Sequence, residues 1–406
     1  MPHYIVYVLL LVVGTGIANA ASSTSAVPGL HITPPASAQG APRVVRVGPD
    51  KEFRLPSAAA RSARDGDVIE IDAGLYEKDV AVWPQHNLTI RGIGGMGGKA
   101  HIRWDGVVAE GKALWVIKGN NTTIENIEFS GAKVPQRNGA GIRHEGAGLL
   151  IRHCHFHDNE NGILSGVHAE NDIIVEHSEF AYNGHGDGYS HNLYIGGARS
   201  LTLRFNYIHH AVVGHNVKSR AAANYILYNR IMDEEDGRAS YAIDLPNGGL
   251  SFIIGNLVQH GPRAENHTLI SYGAEGLTHR LNKLYLIHNT LLNDRQGGRF
   301  LFVADGTQAA VAANNIFAGS GVTLNGPVTL QENLVADRSE LLDTAIFDYR
   351  LKAGSRAIGT GIDPGESENF NLRPQAEYVH PMKSKLRAVK AMPDIGAHAY
   401  QPTGAK

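Results

Sequence analysis

The chain has 406 residues with 37 Lys and Arg against 39 Asp and Glu. It therefore projects no global field of either sign, which disfavours a nucleic-acid partner and makes any attraction for a charged ligand local. Cys154 is the only cysteine, so no disulfide can form within the chain.

In chain order, residues 5–13 (IVYVLLLVV) are apolar but too few to span a bilayer, and Ala18-Asn19-Ala20 follows them. Residues 1–20 thus read as a cleaved signal peptide, although the n-region offers His3 and no Lys or Arg, and the mature chain is expected outside the cell or in a periplasm. Residues 21–42, rich in Ala, Ser, Pro and Gly, read as a disordered linker, leaving 43–400 as one domain. Pro56 and the alanines after it predict a short amphipathic helix with Ala58, Ala59 and Ala63 near one face, placed to plug the open end of a stack. VIEIDAGLY from Val68 is a strand and turn, and NLTIRGIGG, through Leu88 and Ile90, is expected to be the first complete rung. GGMGG at 94–98 is a turn, since no Lys-Ser/Thr follows to make a phosphate loop. Asn87, Asn121 and Asn266 each open an Asn-x-Thr triplet, a pattern also common at the corners of repeated rungs.

From Thr123 onward seven residues recur nine times, starting at Thr123, Leu150, Ile174, Thr202, Tyr225, Phe252, Tyr285, Ala310 and Thr329. The second position is Ile124, Ile151, Val175, Leu203, Ile226, Ile253, Leu286, Val311 and Leu330, and the seventh runs from Phe129 to Val335, apolar throughout. The fifth is Asn in six successive copies: Asn206, Asn229, Asn256, Asn289, Asn314 and Asn333, with Cys154 filling the same position earlier. A fixed core with loops of variable length is the mark of a solenoid. Period-2 apolar positions indicate short strands, and an amide at one corner can bond to the amide of the next rung. No leucine-rich or WD-type signature and no helical partner for the strands appears. An all-β, single-stranded right-handed parallel β-helix with an N-terminal capping helix satisfies all three columns. At the far end Asp394-Ile395-Gly396-Ala397 is expected to close the other mouth.

Before each motif lies a further strand: GIRHE, GILSG, NLYIG, NVKSR, AIDLP and LISYG. With Ile142, Ile163, Leu193, Val217, Ile243 and Ile270 inward, alternation turns Arg143, Leu164, Tyr194, Lys218, Asp244 and Ser271 outward as one column, at about 4.8 Å per rung. Arg220 shares that face. Histidines crowd around it, and the pair His-Asn occurs twice, as His191-Asn192 before Tyr194 and His215-Asn216 before Lys218. Alternation places Asn192 and Asn216 outward and His191 and His215 inward or at the bend, where a histidine is ordinarily structural.

This set suits β-elimination on a uronic acid polymer, which needs a base for the proton beside the carboxylate, a neutralising group and an acid for the leaving oxygen. Lys218, bordered by Arg220, is the candidate base. Tyr194 is the candidate acid, with His215, Arg220 and Asp244 also in catalytic reach. Asn192, Asn216, His191, Arg143 and Tyr272 are the candidate substrate contacts. Solvated surface residues, stacked ladder amides and a sugar-stacking tyrosine are the plain alternatives.

At Val217-Lys218-Ser219 followed by Tyr228-Asn229, the chain resembles the β-helical polysaccharide lyases that include chondroitinase B and certain alginate lyases. The resemblance implies the base role for Lys218 and a calcium ion that neutralises the substrate carboxylate. The family's downstream Arg is replaced here by Ile243-Asp244-Leu245, which leaves the acid to Tyr194, Arg220 or a histidine. Asp244, Glu234 and Glu235 are near enough in sequence to be calcium ligands, with no ligand set assigned. The implied partner is an acidic polysaccharide met by a monomer, without nucleic acid, and without membrane once the signal is cleaved. A uronate C5-epimerase shares the proton abstraction. A polygalacturonase-like hydrolase would need converging carboxylates, of which the column shows only Asp244. A non-catalytic glycan-binding or structural β-helix is the remaining class.

Overall fold

Each seven-residue motif bends at its middle. In Ala223–Leu227 and Arg230–Met232 the motif contributes two separate strands, with Tyr228 and Asn229 at the corner between them. The fourth residue of every copy, with the eighth counted from Val311, is left-handed, from φ 43° at Glu332 to 67° at Gly255, and it includes Phe205, Tyr228 and three histidines. For a side-chain-bearing residue this conformation costs on the order of 1 kcal/mol. The fifth-position amides compensate. Asn229 Oδ1 accepts from the backbone N–H and from Nδ2 of Asn206, both at 3.0 Å, and its own Nδ2 donates to Leu203 O at 2.9 Å and Asn256 Oδ1 at 3.0 Å. The ladder begins at buried Cys154, whose N–H donates to Ser178 Oγ at 3.1 Å, and Ser178 N–H donates to Asn206 Oδ1 at 3.0 Å. In the eighth copy of the motif the register differs from the expected one. Tyr285 pairs with Val311 and the ladder amide is Asn315, not Asn314, so the inward seventh residue is Phe317.

The structure, a computed structural model, describes residues 41–94 and 98–402. The expected signal peptide, almost all of the expected linker and the middle of GGMGG lie outside those residues. Repetition of motif and preceding strand builds three parallel sheets of 12, 11 and 10 strands, about 10 turns in all. We call them the motif sheet, which holds the first half of each motif, the corner sheet, which holds the second half, and the site sheet. The fold is the expected all-β parallel β-helix. Its interior is a continuous stack of Ile, Leu and Val with Phe129, Phe156 and Phe180 in parallel rows, centroids 5.1 and 4.7 Å apart. The first complete coil starts one turn earlier than expected, at Val68–Asp72, Gly74–Glu77 and Ala81–Trp83, because Ile69 and Ile71 already point inward.

Helix α1, Pro56–Ser62, packs against Val44–Val47 and Ala81–Trp83, the terminal strands of two sheets, and buries Ala59 and Ala60 while Ala58 and Ala63 are half-exposed. The C-terminal element does not close the far mouth. Ile395 and Ala397 pack on the outer wall of the corner sheet, with Ala397 N–H donating to Thr290 Oγ1 at 3.0 Å, and Val322, Leu330 and Val335 of the last coil stay exposed. The same segment lays Phe370 on Tyr225 and Phe252 of the motif sheet. Among the described residues no helix is long and apolar enough to cross a membrane.

Candidate active site

The site sheet aligns its strands without slippage through the region of interest. Leu193, Val217 and Ile243 face inward in register, and Tyr194 pairs with Lys218, Lys218 with Asp244, and Asp244 with Ser271. Arg143 lies on the same column above Leu164, and Val82, Val116 and Leu164 form a small apolar cluster on which Tyr194 rests. The stripe thus passes from an apolar platform to a charged stretch at Tyr194.

A loop closes over that charged stretch. Gly273–Asn282 is pinned to the preceding turn by Glu275 N–H to Pro246 O at 2.9 Å and Thr278 N–H to Asn247 O at 3.2 Å. Glu275 comes down beside Lys218 Nζ at 3.4 Å and Arg220 Nη2 at 2.6 Å. Arg220 also donates from Nε to Tyr194 Oη at 3.0 Å and from Nη1 to Asn247 Oδ1 at 2.5 Å. Since the phenol oxygen accepts from the guanidinium, its own proton remains available to another acceptor. On its other side Lys218 Nζ stands 3.7 Å from Asp244 Oδ2, and its side chain is only 12% exposed. Burial pushes the Asp244 carboxyl up to about 6 despite Lys218 beside it. Glu275 titrates lower than an ordinary glutamate: burial opposes this, but the Arg220 and Lys218 contacts outweigh it.

The expected outward orientation of Asn192 and Asn216 is reversed, while His191 and His215 lie at the bend as expected. Asn192 and Asn216 are fully buried in a second amide ladder: Asn183 Nδ2 to Asn192 Oδ1 at 2.9 Å, Asn192 Nδ2 to Asn216 Oδ1 at 2.8 Å, and Asn216 Nδ2 to Asp233 Oδ1 at 3.3 Å. Alternation fails because both sit at the turn into the strand, so neither is available to a substrate. His191 and His215 instead flank the outward stripe. Their rings stack at 4.6 Å, His191 lies edge-on to Tyr194, and His215 Nε2 is 3.5 Å from Asp244 Oδ2. Burial holds His191 down to about 3 and His215 well below the usual imidazole range, so both are neutral. Tyr272 is an interior residue whose hydroxyl donates to Gly249 O at 2.6 Å, which removes it from the substrate contacts.

No known family profile matches the sequence, and no curated protein matches it. Among solved structures, pectate lyase Pel9A superposes on 89% of this chain and 97% of its own, with a TM-score of 0.60 at 13% identity. The chain has the pectin-lyase-like β-helix fold. The alginate lyase from Paenibacillus sp. str. FPU-7 covers 71% of this chain and 97% of its own at 12% identity, TM-score 0.42. Carrot pectin methylesterase covers 74% and 91% at 15%, TM-score 0.38.

On this β-helix the residues missed from sequence are Glu275, Asn247 and Tyr241, the last edge-on to His215 at 4.8 Å. Glu275 arrives from a loop whose length carries no periodic signal. Only its position shortly after LISYG hinted that it belongs to the following turn. The three residues near enough in sequence to be calcium ligands lie apart: Glu234 bonds the Tyr207 hydroxyl and Arg230 on the corner sheet, Glu235 is exposed, and Asp244 faces Lys218 on the site sheet. Calcium wants six to eight oxygens, and carboxylates already facing an ammonium do not fit it.

Proposed function

We propose that this protein is a secreted carbohydrate-active enzyme that cleaves a uronate-containing polysaccharide by β-elimination on the outer face of the site sheet. The observation that carries the reading is the Tyr194–Lys218–Asp244 stripe with Arg220 and Glu275 bridging it. The fold shared with pectate lyase Pel9A is compatible with it.

The substrate carboxylate replaces Glu275 on Arg220, a planar guanidinium suited to a bidentate anion. Lys218 then keeps one anionic partner, Asp244. Lys218 in its amine form abstracts the proton beside the substrate carboxylate, with Asp244 the carboxylate that faces the resulting ammonium. The electron pair of that bond forms the new double bond as the glycosidic oxygen leaves with the Tyr194 proton. Arg220 Nε, 3.0 Å from the phenol oxygen, stabilises the phenolate that remains. The neutral pair His191 and His215 walls the base in without competing for the proton.

The test is a screen of the purified chain on alginate, pectate, glycosaminoglycans and bacterial exopolysaccharides, with and without calcium, read by ultraviolet absorbance of the unsaturated product. Loss of that absorbance in both Lys218→Ala and Tyr194→Phe is expected. Undiminished elimination in Lys218→Ala would sink the assignment. Epimerised sugar without chain shortening would move it to a C5-epimerase, and binding without turnover to a non-catalytic glycan binder.

One observation favours a second reading. Asp244 and Glu275 are carboxyls driven in opposite directions by their surroundings, both beside Lys218, which is the pattern of an acid and base pair in glycoside hydrolysis. New reducing ends without unsaturation would select it.

A further inference from the structure

On the outer wall of the corner sheet, away from the stripe just described, three consecutive rungs bring together His101, Glu128 and His157. Ala100–Arg103, Ile127–Ser130 and His155–His157 pair in register, so His101 stands next to Glu128 in one outward column and His157 follows Ser130 in the adjacent one. His101 Nδ1 lies 3.5 Å and His157 Nε2 3.0 Å from the same oxygen, Glu128 Oε1, and one ligand atom from each residue falls within 4.8 Å of the others.

We propose that this cluster is a binding site for a divalent transition-metal ion of the zinc type. At bond lengths of about 2.0–2.1 Å, ligands on a tetrahedral zinc stand about 3.3 Å apart, the spacing seen around Glu128 Oε1. Two imidazoles and one carboxylate are a borderline donor set suited to zinc rather than calcium or magnesium. The outer contacts are those of a metal site as well. The second nitrogen of each ring is engaged, His157 Nδ1 by Asp158 Oδ2 at 2.6 Å and His101 Nε2 by Ser130 Oγ at 2.6 Å. Donation from Nδ1 to Asp158 fixes the ring so that Nε2, which donates to Glu128 Oε1 in the metal-free protein, would present its lone pair to an ion that displaces that proton. His155, stacked on His157 at 4.4 Å, holds the ring plane. The three side chains are 22–25% exposed, so the fourth coordination position faces solvent. A bound ion would cross-tie three coils of the wall.

Isothermal titration of the EDTA-treated full-length chain with zinc chloride, repeated with cobalt chloride to read the visible spectrum of a tetrahedral ion, tests this. One equivalent is expected to bind with a rise in thermal midpoint. His157→Gln and Glu128→Gln should abolish that equivalent with far-ultraviolet dichroism unchanged. Asp158→Asn, a change to a positioning residue, should weaken binding about 10- to 100-fold while preserving the cobalt spectrum. His168→Gln on the motif sheet is the control and should bind as the parent does. The absence of a saturable equivalent in the parent, or its survival in the His101→Gln/His157→Gln double variant, would show the cluster to be a hydrogen-bonded His–Glu–His chain and overturn the proposal.

Discussion

Asp244→Asn should make the folded protein more stable at alkaline pH and leave it unchanged in acid. Burial raises the Asp244 carboxyl from 3.8 to about 6, and one unit is 1.36 kcal/mol, so ionised Asp244 costs the fold about 3 kcal/mol. Below the unfolded value both states hold the proton and there is no cost. Between the two values the folded state keeps a proton that the unfolded chain has lost, so stability falls as pH rises, and above about 6 the full cost is present. Asparagine removes that cost; the attraction of Lys218 is already contained in the value of about 6, and Lys218 keeps its contact with Glu275. The net expectation is a gain of about 3 kcal/mol at about pH 8, vanishing near pH 3. Urea midpoints followed by circular dichroism across that range measure it. A difference between variant and parent that does not grow with pH, or a variant less stable at the alkaline end, would refute the account of Asp244 as a buried, strained carboxyl.

Lys218→Ala should abolish turnover while changing stability by about 1 kcal/mol or less, because Asp244 takes up a proton instead of remaining an unpaired buried anion; parallel activity and melting measurements check both halves. Asn256→Ala breaks the corner ladder where one amide serves Asn229, Ile226, Ile254 and Asn289, and should cost about 3 kcal/mol in urea unfolding. Tyr272→Phe removes only the interior hydrogen bond to Gly249, so about 1 kcal/mol of stability is lost and polysaccharide binding, measured by affinity electrophoresis, stays at the parent level.

The parts of the molecule legible in the sequence are those where stacking forces like upon like. Ile124, Ile151, Val175 and Leu203 repeat because each occupies the same interior row, and Lys218 could be aligned with Tyr194 because both strands carry one inward neighbour in register. Where two candidates for one row sit side by side the pattern is degenerate, and Asn314-Asn315 let the register slip by a residue. Position four was invisible for a different reason: Phe205 and Tyr228 tolerate φ near 60° because each ring stacks on its neighbours at 5.1–5.6 Å, a gain that no propensity scale assigns to an aromatic residue. Asn192 and Asn216 were misdirected because alternation belongs to strands and they sit on turns. Glu275 and the C-terminal segment depend on how long loops return to distant rungs, as Ala397 does to Thr290. Solenoid repetition therefore announces the wall and the order of side chains on it, while the charges that set their chemistry come from the non-repeating insertions. In this chain Asp244 belongs to the first kind and Glu275 to the second, and the site exists only where the two meet at Lys218.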